Sequence, residues 1–318
     1  MKLTKLLERV EYECINGSVD VEVADLVNDS RKAKEGSLFF CIKGAVSDGH
    51  KYAADVIAKG AKVLVVQDEV EAPKDVTVIK VADSRYAMAM ISALALLSAA
   101  WFDYPAEKMK VIGITGTKGK TTTTYMIRSI LESAGHKVGL IGTIEAIIGE
   151  EHIPAANTTP ESYTVQSYFD RMVKAGCDCV VMEVSSQGLM LHRTAGIPFE
   201  IGIFTNIEPD HIGPAEHASF EDYMHCKGLL FQQCKLGIVN MDDKHLEQVL
   251  KGHTCRIETF GFSEKADLRA ENTKLVSRPG YLGIDYTAEA KDFHLDASLM
   301  TPERKLFLAY HRKNIFRR

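Results

Sequence analysis

Short apolar runs alternate along this chain with stretches of helical period. Among the first hundred residues the runs are Ser37-Leu38-Phe39-Phe40-Cys41-Ile42, Val63-Leu64-Val65-Val66 and Val76-Thr77-Val78-Ile79, and the helix-like stretches are Ala53 to Lys59 and Ser84 to Trp101. This pattern predicts a small α/β domain. Phe102-Asp103-Tyr104-Pro105-Ala106-Glu107-Lys108 interrupts it with a proline and charges, which places a boundary near residue 104. Beyond it, Val111 to Ile114, Val138 to Ile141, Cys179 to Met182, Ile201 to Phe204 and Leu236 to Asn240 are again short and apolar, separated by helical segments. Strands alternating with helices predict a doubly wound, mostly parallel sheet whose ligands bind at the strands' C-terminal ends. From about 260 the text turns to polar, β-like alternation such as Tyr281-Leu282-Gly283-Ile284-Asp285-Tyr286. The fold class is therefore α/β, with one domain over 1–104 and a larger one over 105–318.

Gly116-Thr117-Lys118-Gly119-Lys120-Thr121 separates the run at Val111 to Ile114 from a helix-like stretch that starts Thr122-Thr123-Thr124-Tyr125. Strand, glycine-rich turn and helix in that order form a phosphate cradle: backbone N–H groups face phosphate oxygens, Lys120 adds a point charge, and Thr121 offers a hydroxyl to Mg²⁺. The spacing is irregular, because Ile114 occupies the position where the common P-loop pattern has its first glycine, and glycines recur instead at 113, 116 and 119.

Composition changes this picture little. The 318 residues carry a net charge of −5 with no basic cluster before the last few positions, so nucleic acid is not an expected partner. Met1 to Arg9 is amphipathic rather than signal-like, and the apolar stretch Ala87 to Trp101 is too short to span a bilayer. The expectation is a cytoplasmic monomer without a membrane partner. Seven cysteines include no C-x-x-C pair, which predicts reduced structural thiols.

Further chemistry follows several strand ends. Glu183 closes the apolar run Cys179-Val180-Val181-Met182 and is either a strand-end charge or, beside a P-loop, a ligand for nucleotide-bound Mg²⁺. His211, in Asn206-Ile207-Glu208-Pro209-Asp210-His211, is either solvated or a ligand of a second metal, oriented by Asp210 or the backbone. Ser219 and Asp222 form a capping box opening a helix on which Lys227 shares a face with Phe220, Tyr223, Leu230 and Phe231. Lys227 either snorkels outward or is buried, and burial would free a neutral amine able to take up CO₂ as a carbamate. Asn157-Thr158-Thr159-Pro160 opens a helix through Tyr163 and suits a cap or an anionic substrate equally. Asp29-Ser30-Arg31 and the segment Lys43-Gly44 to Asp48-Gly49-His50 are polar turns flanking one strand, with a ligand role open for both.

Taken together, from about 20 to about 285, these motifs resemble the Mur ligases, ATP-dependent amide-forming enzymes of peptidoglycan synthesis. The likeness is to the branch that adds the third residue, lysine or diaminopimelate, to UDP-N-acetylmuramoyl-L-alanyl-D-glutamate. The resemblance implies a uridine-nucleotide domain followed by an ATP domain. ATP phosphorylates the substrate carboxylate, and the incoming amine displaces phosphate. It implies that Gly116, Thr117, Lys118, Gly119, Lys120, Thr121 and Thr122 hold ATP, that Thr121 and Glu183 hold one Mg²⁺, and that His211 and carbamylated Lys227 hold a second, with Lys120, Glu183, His211 and Lys227 catalytic. Ser30, Lys43, Gly44 and His50 would meet the uridine diphosphate; Asn157, Thr158, Thr159, Ser185 and Arg193 the sugar-peptide. Lys118 stands where the family usually has asparagine, and Leu191 where a polar contact is usual. The stretch Thr301 to Arg318 leaves the family pattern, which reads as a truncated or frameshifted end before an amino-acid-binding domain.

Overall fold

The computed structural model describes residues 1–43, 48–81, 88–213, 216–278, 281–291 and 293–300. Gly44, the start of the helix expected from Ser84, and the tail from Thr301 lie outside the described residues. The chain forms two compact units: Met1–Lys108 with residues 160–173 and 191–196, and Met109–Thr159 with Lys174–Met190 and the chain from Ile197 onward.

In the first unit, α1 (Leu3–Leu6), α2 (Ala53–Ala58) and α3 (Met88–Trp101) accompany a five-stranded sheet of β1 (Tyr12–Asn16), β2 (Asp25–Val27), β3 (Ser37–Phe40), β4 (Val63–Val66) and β5 (Thr77–Val81). The strand order is β1-β5-β4-β3-β2, parallel except for β1. Alternate residues feed two separate cores. Leu38, Phe40, Val63, Val65, Ile79 and Val81 pack with Leu3, Leu6, Leu94 and Leu97 on one face, while Phe39, Cys41, Leu64, Val66 and Val78 pack with Ala53 and Val56 on the other. Strands covered on both faces read as unbroken apolar runs, which is why β3, β4 and β5 stand out in the sequence. Tyr12 to Cys14 and Ile15 of β1 are exposed, so this antiparallel edge strand leaves no such signal.

The remaining elements are β6 (Lys110–Thr115), α4 (Lys120–Ser133), β7 (Val138–Ile141), β8 (Glu145–Ile148), β9 (Glu151–Pro154), α5 (Ser162–Lys174), β10 (Cys179–Glu183), α6 (Ser186–Met190), β11 (Phe199–Phe204), α7 (Phe220–Gly228), β12 (Cys234–Asn240), α8 (Leu246–Val249), β13 (Arg256–Gly261), β14 (Leu268–Arg278), β15 (Tyr281–Ala290) and β16 (Phe293–Met300). All but α5, which belongs mainly with the first unit, lie in the second. Its sheet runs β16-β15-β14-β13-β12-β11-β6-β10-β7-β8-β9. From β14 to β7 the pairing is parallel throughout; β15 and β16 at one end and β8 and β9 at the other continue the sheet by antiparallel pairing. The β8–β9 hairpin turns at Gly149-Glu150, and its outer strand is polar, so no apolar run announces it.

Among the described residues no helix is long and apolar enough to cross a membrane. All seven cysteines are free thiols. Phe40 is fully buried, whereas Ile15 is 37% exposed. Phe40→Ala is expected to cost about 3–5 kcal/mol, and Ile15→Ala no more than about 0.5 kcal/mol; urea unfolding midpoints check both.

Candidate functional site

The loop between β6 and α4 rests on the loop that follows β11. Thr117 N–H donates to the Asn206 carbonyl (2.8 Å), Lys118 N–H to Asn206 Oδ1 (3.0 Å), and Thr205 Oγ1 and Asn206 Nδ2 both donate to the Lys118 carbonyl (2.8 and 3.0 Å). These bonds satisfy the loop's lateral backbone groups from one side, leaving its inner surface to a ligand. Gly116 has φ +146°, and a Cβ there would meet Thr205 Oγ1 at 2.0 Å. Gly113 serves a different end: within β6, a Cβ would stand 2.7 Å from the Phe199 ring. The three-residue glycine spacing therefore combines one packing glycine with turn glycines.

Two lysines converge on one acceptor in this loop. Lys120 Nζ donates to the Gly116 carbonyl at 2.8 Å, and Lys227 Nζ donates to the same oxygen at 2.9 Å. Lys227 is 1% exposed and lies over the Tyr223 ring, 4.4 Å from its centroid. Burial drives its pKa well below the usual lysine value, Lys120 pushes it further down, and Asp210 pulls the other way. Lys120 is also lowered, mainly by burial, against opposing pulls from Glu183 and Asp210. Two cations facing one carbonyl oxygen repel each other and lack a full counter-charge, an arrangement that suits a polyanion.

Glu183, also 1% exposed, ends β10. Both carboxylate oxygens are held by Thr143, whose N–H and hydroxyl each donate at 2.9 Å. The Thr143 hydroxyl meets that of Thr158 at 3.1 Å, and Thr159 Oγ1 links the Glu183 carbonyl (3.0 Å) to the Ser185 N–H (2.9 Å). Asn157 is exposed. Thr158 and Thr159 thus brace the Glu183 strand end, beyond the capping function their residue types suggest.

Four expectations are corrected in detail. The helix bearing Lys227 ends at Gly228, and Leu230 and Phe231 lie in the 3₁₀ turn that follows, both still buried. Ser219 accepts from the Asp222 N–H at 3.1 Å, but the Asp222 carboxylate turns to His217 Nδ1 (3.0 Å) instead of closing a reciprocal box. His211 Nδ1 is held by Glu216 (2.9 Å), with Asp210 3.9 Å from Nε2, and its side chain is 56% exposed. Lys118 turns its ammonium to Glu208 at 2.9 Å, so its contribution to the loop is its backbone.

The remaining sequence-derived site residues lie in the first unit. Asp29 caps the turn containing Ser30 and binds the Arg31 backbone and guanidinium, which lower the Asp29 carboxyl to about 2. Lys43 is exposed and pairs with Asp68 at 3.4 Å. His50 is fully engaged, with Nδ1 on Asp48 (2.7 Å) and Nε2 accepting from the Gln67 and Asp68 N–H groups (3.2 Å each). Arg193 pairs with Glu161. Sequence reasoning missed Thr143, Thr205, Tyr223 and His217 as site-forming groups. Thr143 and Thr205 each directly follow an apolar strand, within two residues of its end, which is the one signal that marks them.

A parallel doubly wound sheet, a glycine loop leading from strand to helix and a buried carboxylate on the neighbouring strand give the second unit the form of a P-loop α/β domain. Residues 114–300 match the Mur ligase middle domain, and residues 22–96 match the Mur ligase family catalytic domain. The chain belongs to the Mur ligase family. It is 48% identical over 278 residues to UDP-N-acetylmuramoyl-L-alanyl-D-glutamate–2,6-diaminopimelate ligase 1 of Clostridium acetobutylicum, covering 87% of this chain and 56% of that protein. It is 38% identical over 312 residues to the corresponding ligase of Caldanaerobacter subterraneus, covering 98% and 62%. A solved structure of a UDP-N-acetylmuramoyl-L-alanyl-D-glutamate–2,6-diaminopimelate ligase superposes with a TM-score of 0.77 at 21% identity, over 93% of this chain and 59% of the other. The chain thus spans a little over half the length of the relatives it matches.

Gly116→Ala is expected to abolish detectable ATP binding by calorimetry, because the added Cβ meets Thr205 and φ is unfavourable. Lys227→Met gives a second test. The folded state lowers the Lys227 pKa, so the unfolded chain binds its proton more readily, and wild-type stability rises with pH up to the unfolded lysine value of about 10.4. The stability advantage of Lys227→Met over wild type is therefore expected to shrink as pH increases towards about 10, read by urea unfolding across pH.

Proposed function

We propose that this chain binds ATP with Mg²⁺ and UDP-N-acetylmuramoyl-L-alanyl-D-glutamate and activates the free carboxylate of that sugar-peptide for attack by the amine of diaminopimelate. The convergence of Lys120 and Lys227 on the Gly116 carbonyl carries the reading, since it concentrates buried positive charge in a loop shaped for phosphates. The names of the relatives supply the sugar-peptide and the amino acid. Family membership supplies the ligase class.

In this reading the residues have distinct tasks. Backbone N–H groups of 116–122 and Lys120 hold the phosphates in line with the attacking carboxylate oxygen. The Thr121 hydroxyl and the Glu183 carboxylate are hard oxygen donors that fit Mg²⁺, and Thr143 keeps the carboxylate aimed by binding its other lone pairs. Held by these two donors, Mg²⁺ would neutralise charge on the transferring phosphoryl group. Lys227, whose pKa is lowered by burial, is suited to carbamylation, and with His211 it forms the second proposed metal position. The γ-phosphoryl group passes to the carboxylate, giving an acyl phosphate and ADP. The amine then attacks the acyl carbon, phosphate leaves, and the amine's proton is released. Ser30, Lys43, His50, Ser185, Asn157, Thr158, Thr159 and Arg193 are assigned to the uridine nucleotide and sugar-peptide. His50 has both ring nitrogens engaged, so its role is to shape the turn. A cytoplasmic setting follows from these substrates.

A second reading is that the chain binds both ligands without forming the amide. One experiment separates the two. The chain is incubated with ATP, Mg²⁺ and the UDP-sugar-dipeptide, with hydroxylamine as trap in one arm and diaminopimelate or lysine in others. Hydroxamate and phosphate, and a tripeptide from diaminopimelate in preference to lysine, are the expected products. Binding of both ligands without hydroxamate would instead establish the binding-only reading. Lys227→Ala is expected to lower hydroxamate formation at least about a hundredfold, with partial recovery on adding a small carboxylate. Unchanged formation would remove the carbamate role.

A further inference from the structure

His217 belongs to no motif singled out above, yet it is 1% exposed and both ring nitrogens are bound. Nδ1 meets Asp222 Oδ2 at 3.0 Å and Nε2 meets Ser186 Oγ at 2.9 Å. A carboxylate only accepts, so in the neutral ring Nδ1 carries the proton and Nε2 accepts from the serine hydroxyl. The ring also packs edge-on against Tyr223, with centroids 5.0 Å apart. Its main chain ties a third segment: the His217 N–H donates to the His211 carbonyl (3.0 Å), and its carbonyl accepts from the Gly213 N–H (3.1 Å).

Each contact leads to a proposed metal-facing group. Ser186 opens α6 three residues after Glu183; Asp222 and Tyr223 sit on α7, which carries Lys227; the backbone bonds close the loop that presents His211. Tyr223 extends the connection to the phosphate loop through its hydroxyl, 3.2 Å from Thr117 Oγ1. We propose that His217 is the positioning residue that sets the Glu183 strand end, the His211 loop and the Lys227 helix at the spacing Mg²⁺–ATP requires. The inference rests on the ATP and Mg²⁺ part of the proposed function.

Two other roles fit the same atoms less well. The order Ser186-His217-Asp222 is that of a nucleophilic triad, but Ser186 is itself buried, away from the exposed position a nucleophile needs. His217, Asp222 and Cys226 place donor atoms within 4.8 Å of one another, as a soft metal would need. Both imidazole nitrogens are already committed, however, and burial pushes the Cys226 thiol up to about 12, away from the thiolate that such a metal binds.

The test measures ATP affinity of the whole 318-residue chain by calorimetry across a Mg²⁺ series, for wild type, His217→Ala, His217→Gln and Ser186→Ala. The Mg²⁺ concentration giving half of the gain in ATP affinity is expected to rise about 10- to 100-fold in His217→Ala, the usual effect of removing an outer-shell partner. It is expected to rise less in Ser186→Ala, and to be partly restored in His217→Gln, whose amide keeps the bond to Ser186. ATP affinity in EDTA stays at the wild-type value. An unchanged Mg²⁺ requirement in Ser186→Ala and His217→Ala overturns the proposal, and so does an equal loss of ATP affinity with and without Mg²⁺. If His217→Ala fails to fold, Ser186→Ala and His217→Gln decide alone. Failure of the wild-type chain to bind ATP overturns the proposed function itself, which the variant arms by themselves do not.

Discussion

The second unit is organised around one carbonyl oxygen. Gly116 O accepts from Lys120 and from Lys227, so two side chains that start 107 positions apart end at a common point in a buried place. Neither lysine has a carboxylate partner at hydrogen-bonding distance among these contacts, and burial lowers the pKa of both. A carbonyl dipole offsets only a fraction of that charge. The loop is thus held in a form that is electrostatically incomplete, and a polyphosphate would complete it. The surrounding bonds from Thr205 and Asn206 keep the loop from collapsing around its own lysines.

Topology explains how such distant residues meet. The chain goes from β6 to β7 on one side of the sheet, returns to β10 beside β6, and then crosses to β11 on the other side of β6. Strand order reverses at β6, and the loops after β6, β10 and β11 leave the same edge because all three strands are parallel. Glu183 and the Thr205-Asn206 pair therefore flank the phosphate loop by construction. Thr143, following β7 one strand further out, reaches Glu183 from the far side. Each loop is short at its start, so the first one or two residues after the strand do the work.

How much of this was legible depended on what each residue faces. Buried parallel strands were readable because both faces are apolar; β1, β9 and the polar β14–β16 meander were not, or only as alternation, because one or both faces meet water. Lys227 was readable through its helical neighbours, and its burial follows from the face it shares with Tyr223. His217 left no trace, since its partners Ser186 and Asp222 are 31 positions before it and 5 after, and only the fold brings all three together. For the same reason the Ser219–Asp222 pair looked like a reciprocal cap. Local spacing was satisfied on one side, and a non-local imidazole took the carboxylate on the other. Lys118 shows the converse: a residue at odds with the family pattern is accommodated by Glu208, which turns its charge out of the loop while the backbone keeps its bonds to Asn206.

The bond between Lys227 and Gly116 also bears on the carbamate in the proposed function. Addition of CO₂ to a neutral amine forms an N–C bond and releases one proton, leaving a nitrogen that still carries one N–H. That remaining N–H can keep the 2.9 Å bond to Gly116, so modification does not require the loop to open. What changes is the charge beside Lys120. A neutral amine becomes an anion that pairs with the Lys120 ammonium, and the new carboxylate would add hard oxygen ligands beside the loop. The cost of burying Lys227 in its charged form favours the neutral amine, and the charge of Lys120 would stabilise a carbamate. The incomplete electrostatics of the loop thus favour both the polyphosphate and the modification, through the same pair of side chains.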